Sequence, residues 1–139
     1  MSIMNRAPSL TAIISLVYAL AGFSYNAWRL EQSEENNIVR DAAFQVLTEL
    51  AEFEQVLYAN HYDQNEVEGS PRVGWVKIGL VNDLAVLIGP QVSSSADELK
   101  SNWADIWVAV NRDRVVVDGL VLDIDEVRAG VKERLADLD

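Results

Sequence analysis

The chain opens on one uninterrupted apolar stretch and continues as amphipathic segments with a period near 3.6, divided by short polar breaks. Residues 10–28 read LTAIISLVYALAGFSYNAW, and no charge falls between Arg6 and Arg29. As a helix they would rise about 28 Å at about 1.5 Å per residue, close to the hydrocarbon thickness of a bilayer. The continuously apolar part ends near Phe23. Tyr25 and Trp28 would then sit at the far interface, which suits rings with one apolar and one polar edge.

Beyond this stretch the pattern predicts helices. From Leu30 to about Asn60, apolar residues recur at Val39, Ala43, Val46, Leu50, Phe53 and Leu57, in steps of four and three. If this helix is continuous with the apolar stretch, one element of about 50 residues and about 75 Å carries the chain out of the membrane. Residues 61–69 are polar and break it. Ser70-Pro71 predicts a new start, with serine as cap and proline at the first helical position. Gly89-Pro90 predicts its stop. Between them Val73, Trp75, Val76, Ile78, Leu80, Val81, Leu84, Val86, Leu87 and Ile88 cover most of the circumference, so this helix is expected to be the most buried.

A third helix is expected from Ser95, where Ser-Ala-Asp-Glu has capping-box spacing, with Leu99, Trp103, Ile106, Trp107 and Val110 on one face. A fourth is expected from Asp123, with the stripe Ile124, Val127, Val131, Leu135 and Leu138, weakened by Gly130 at about 1 kcal/mol relative to alanine. Residues 115–122 place two β-branched runs around Asp118-Gly119. They read either as a very short β-hairpin or as an extended linker. The fold class is all-α: an N-terminal transmembrane helix continuing into an extracytoplasmic bundle of about four helices.

The flanks of the apolar stretch bear on topology. Arg6 stands on one side and Glu31, Glu34 and Glu35 on the other, which places the amino terminus in the cytoplasm and the remainder in a periplasm or its equivalent. The expected organisation is a membrane anchor over 1–28, in lipid through residues 10–28, and an acidic helical domain over 29–139. Localisation is then the bacterial inner membrane, single-pass. Ala19-Leu20-Ala21 also has the form of a signal-peptidase site, with cleavage before Gly22 giving a secreted or periplasmic domain. The uncleaved anchor is preferred, because the helical pattern runs on through Tyr25, Trp28 and Leu30 without a turn residue.

Charge and cysteine narrow the function. After the anchor, ten of the 11 basic residues remain against all 22 acidic ones, a net of about −12 on the exported part. That disfavours nucleic acid and anionic headgroups as partners, since both need a basic patch. Cysteine is absent, so the domain is expected to hold together by core packing, which a segment of about 110 residues allows. Thiol catalysis and cysteine-ligated metals fall away with it.

Candidate chemistry is sparse. His61, with Asp63, Asn65, Glu66 and Glu68, fails the calcium-loop pattern: Glu68 stands where glycine is needed and Gly74 where a bidentate glutamate belongs. A polar surface loop is the better reading. Glu49 and Glu52 are one turn apart, but they are expected on the solvated face of their helix, where carboxylates keep ordinary acidity. No nucleophile elbow, phosphate loop or zinc-protease motif occurs, no cofactor is implied, and no enzyme is expected.

Two features point to binding. Trp75, Trp103 and Trp107 are candidates for an apolar pocket between helices, although such residues more often fill a core. Ser15, Ala19 and Gly22 offer small side chains on one face of the apolar helix for pairing inside a bilayer. Residues 32–37 carry no large apolar side chain and are expected to stand as a stalk, stabilised by a homodimer or a protein partner. The reading is a non-enzymatic, membrane-anchored interaction or adaptor protein. The alternative is an anchored sensor of a small apolar ligand held near Trp75, Trp103 and Trp107.

Overall fold

A computed structural model describes residues 9–138; residues 1–8, including Arg6, and Asp139 lie outside the described residues. The described residues form four α-helices: α1 (Leu10–His61), α2 (Pro71–Ile88), α3 (Pro90–Ile106) and α4 (Arg114–Ala136), with one 3₁₀ turn (Trp107–Ala109) between the last two. No strand occurs among the described residues. Two compact units divide the chain at Asn36, Met1–Asn36 and Asn37–Asp139, and α1 supplies residues to both.

In the first unit α1 starts at a serine cap: Ser9 Oγ accepts a hydrogen bond from the Ala12 amide at 3.3 Å. From here to Glu35 every side chain is exposed, and the most apolar 18-residue window has a mean hydropathy of 1.4 with nothing buried. The helix is long and apolar enough to cross a membrane.

The second unit is a four-helix bundle built around Val46, Leu50, Phe53 and Leu57 of α1, which are fully buried together with Ala43. The remaining core comes from Ile78, Val81, Ala85 and Ile88 of α2, Val92, Ala96, Leu99 and Trp103 of α3, and Val117, Leu120, Ile124, Val127 and Val131 of α4. Polar ties fix the order of neighbours. Lys77 on α2 pairs with Glu49 and Glu52 on α1. Arg128 on α4 reaches Glu54 on α1, Nη2 to Oε2 2.8 Å. Asn82 joins α2 to Asp97 on α3, and Asn102 on α3 donates to Asp123 on α4 at 2.8 Å.

The connection from α1 to α2 is tight. Asn65 Oδ1 accepts from the Val67 and Glu68 amides, both at 3.0 Å, and Gly69 packs so closely that a Cβ would stand 2.4 Å from the Asn60 nitrogen. Pro71 takes the first helical position of α2, as expected, although Ser70 makes no side-chain cap bond.

Three expectations are corrected. First, Gly89-Pro90 does stop α2, but the same dipeptide starts α3, five residues before Ser95. Gly89 has φ 154° and ψ 167°, open to glycine alone, so one residue turns the chain and Pro90 opens the next helix. The stripe Val92, Ala96, Leu99 and Trp103 then keeps 93–95 helical, and Ser95 is no cap.

Second, residues 115–122 form neither hairpin nor linker. They are the first turns of α4, which begins at Arg114 and not at Asp123. Asp113 is the cap, its side chain accepting from the Val115 amide at 2.9 Å. Val117 and Leu120 extend the buried stripe of Ile124, Val127 and Val131 at helical spacing, and that burial overrides the strand preference of the valines.

Third, the apolar residues of α2 are not buried around its whole circumference. Val76 is 69% exposed, Val86 67% and Leu87 51%, while only Gly74, Ile78, Val81, Ala85 and Ile88 are buried.

Candidate functional site

The three tryptophans singled out in the sequence occupy different settings. Trp103 is buried at the centre of the bundle, edge-on to Phe53 at 5.1 Å between ring centroids and to Trp75 at 6.1 Å. Its neighbour Gly74 makes room for the ring: a Cβ there would stand 2.8 Å from Trp103 Cζ2 and 3.3 Å from Phe53 Cε2. Phe53, Gly74 and Trp75 thus occupy the space around the indole, and its Nε1 is buried without a hydrogen-bond partner. Trp75 and Trp107 are each about a third exposed.

Ser15, Ala19 and Gly22 all lie on the exposed surface of α1, and a Cβ on Gly22 would meet nothing within 4 Å. His61 closes α1 by a bond to the backbone. Its Nδ1 lies 2.7 Å from the Val110 carbonyl, an acceptor only, so Nδ1 carries the proton and the ring ties the end of α1 to the turn before α4. Asp63, Glu66 and Glu68 are exposed around it.

A polar cluster was missed. Glu49 is not on a solvated face: it is 6% exposed, with Oε1 accepting from Gln45 Nε2 at 2.7 Å and Oε2 lying 3.0 Å from Lys77 Nζ. Lys77 also binds Glu52, which is more exposed. The hydrogen bond to Glu52, then that to Glu49, pushes the Lys77 ammonium above its ordinary range. Beside the cluster runs a groove of about 390 Å³ between α1, α2 and their connection, lined by Val56, Ala59, Val67 and Val73 as well as Glu52 and Lys77. The available signal was positional. Glu49 directly precedes core Leu50, and Lys77 is the one cation inside the apolar run of α2.

The outward side of α2 is the other feature that the apolar count concealed. Turned away from buried Gly74, Ile78, Val81 and Ala85, it presents Val76, Leu80 and Leu87 in line, with Arg72, Gly79 and Asp83 in a second line beside them. Apart from Arg72 and Asp83 this side is uncharged, in a chain whose net charge is −11.

Comparison with known protein families, curated proteins and solved structures finds no match to this chain.

Proposed function

We propose that the protein is a membrane-anchored, non-enzymatic interaction protein, held in a bacterial inner membrane by residues 10–28 with its acidic bundle on the periplasmic side. The observation that carries the interaction reading is the outward side of α2. A bundle that packs Leu50, Phe53, Trp103 and Leu120 to complete burial leaves Val76, Val86 and Leu87 more than half exposed, on one helix and with little charge between them. Apolar area grouped in this way marks contact surfaces more often than single exposed residues do.

The anchor is supported by the wholly exposed apolar start of α1, and the orientation by Arg6 before it and Glu31, Glu34 and Glu35 after it. Nothing around Trp103 favours a small apolar ligand, because side chains fill that space.

Reporter fusions after Asp139, combined with protease accessibility in intact and permeabilised cells, test this reading. The expected result is a periplasmic carboxyl terminus in the membrane fraction. A carboxyl terminus protected in the cytoplasm would contradict it.

A further inference from the structure

We propose that the groove between α1, α2 and their connection binds a linear aliphatic diamine, one ammonium at Glu52, the other at Glu68, and the methylenes between them on valine and alanine side chains. This site goes beyond the interaction reading above and depends neither on it nor on the anchor.

The two helices build the walls in antiparallel order. Lys77 on α2 stands level with Glu49 and Glu52 on α1, while Gly69, just before α2, packs on Asn60 near the end of α1. Between these levels the groove of about 390 Å³ is lined by Val56 and Ala59 from α1, Val67 from the connection and Val73 from α2. Its two carboxylates therefore lie at opposite ends, Glu52 beside Lys77 and Glu68 beside Gly69. From Glu52 to Asn60 the axis of α1 rises about 12 Å.

Charge defines the ligand. Lys77 is held by Glu49 and Glu52, so that end carries two carboxylates against one ammonium. Among the described residues no cation pairs with Glu68. Each end favours a cation, and neither offers an anion a free positive group. One metal ion cannot serve both, because its oxygen ligands close to about 2.3 to 2.6 Å and these carboxylates stand at levels about 12 Å apart. Two ammonium groups, each about 2.8 Å inside its carboxylate, would be about 6 Å apart, the reach of a chain of about four or five carbons.

The middle of the groove suits such a chain. Val67 is the one aliphatic residue between His61 and Gly69, and it is 81% exposed on the groove wall, where methylenes would cover it. The connection that carries it is already fixed. Asn65 Oδ1 accepts from the Val67 and Glu68 amides, and Asn60 Nδ2 donates to the Gly69 carbonyl at 2.8 Å. Little ordering cost is left for binding.

The test titrates the full chain, labelled with nitrogen-15 in an uncharged detergent at about 0.15 M salt, with 1,5-diaminopentane, and reads amide shifts by NMR. Saturable shifts at Ala59, Val67, Glu68 and Val73 are expected, with a Kd of about 1 mM. Glu68 and Glu126 are both exposed, so neutralising either spares the core. Glu68→Gln should weaken binding about fivefold, whereas Glu126→Gln, the same charge lost on α4, should change it less than about twofold. Pentylamine, with one ammonium, and 1,2-diaminoethane, too short to reach both ends, should each bind about fivefold more weakly than 1,5-diaminopentane.

Shifts that scatter over the acidic surface without saturating would overturn the proposal, as would equal losses in Glu68→Gln and Glu126→Gln. Either result would reduce the effect to general attraction of cations. Pentylamine binding as tightly as the diamine would overturn it too, since one end of the groove would then contribute nothing.

Discussion

Gly74 on α2 faces the ring edge of Trp103 on α3, and a Cβ at that position would lie 2.8 Å from Trp103 Cζ2. Trp103 cannot yield easily, because Phe53 and Trp75 hold its ring on other sides. Gly74→Ala gains about 1 kcal/mol of helix propensity but overpacks the core at about 1 to 3 kcal/mol. A net loss of about 1 kcal/mol is expected in chemical denaturation. Gly119→Ala, where a Cβ meets nothing within 4 Å, should gain about 0.5 to 1 kcal/mol. A loss at Gly119 would argue for a turn there and against the helix.

Trp103→Ala should cost about 3 to 5 kcal/mol, the range for removing a large buried aromatic. Trp107→Ala should cost much less, since that residue is 36% exposed. Similar losses at the two positions would contradict the placement of Trp103 alone at the centre of the bundle.

The stripe of α1 was legible because Val46, Leu50, Phe53 and Leu57 leave no choice of period, and all four are buried. Other elements were hidden by local signals that tertiary packing overrides. Val115, Val116 and Val117 before Asp118-Gly119 look like a hairpin in isolation, and only the burial of Val117 and Leu120 against the core makes them a helix. Ser95 has the spacing of a cap but sits inside a helix that Pro90 already opened. The number of apolar residues on α2 could not say which of them find partners: Ile78 and Ala85 do, Val76 and Leu87 do not. Glu49 falls outside the stripe of Val46, Leu50, Phe53 and Leu57 and so reads as solvated, while its position beside Leu50 carries it inward to Lys77.

That pair gives a prediction of its own. Lys77→Met should destabilise the bundle by about 2 kcal/mol, less than for a fully enclosed pair because Lys77 is 22% exposed, since buried Glu49 would keep only Gln45 as a partner. Glu49→Leu in the same chain should recover most of the loss. A double variant as unstable as the single one would show that Glu49 is not the cause.

Alkaline pH should remove the same contribution. The folded state raises the Lys77 pKa through Glu52 and Glu49, so the stabilisation is complete below the unfolded value of about 10.4 and fades as pH rises through the folded one. Tyr58, whose hydroxyl donates to Glu54 and whose pKa is raised chiefly by that bond, loses its share in the same direction. The stability gap between wild type and Lys77→Met, measured by urea unfolding, should be constant from pH 7 to about pH 10 and narrow above it. A gap that widens with pH would reverse the assigned sign.

If residues 10–28 hold the intact chain in a membrane, as proposed, the intact mass of the protein recovered from fractionated cells will show it. The expected mass matches the chain from near Met1, found in the membrane fraction and released by detergent but not by high salt or alkaline carbonate. A mature species beginning at Gly22 in the soluble fraction would contradict it, making the apolar stretch a cleaved signal sequence and the bundle a free domain.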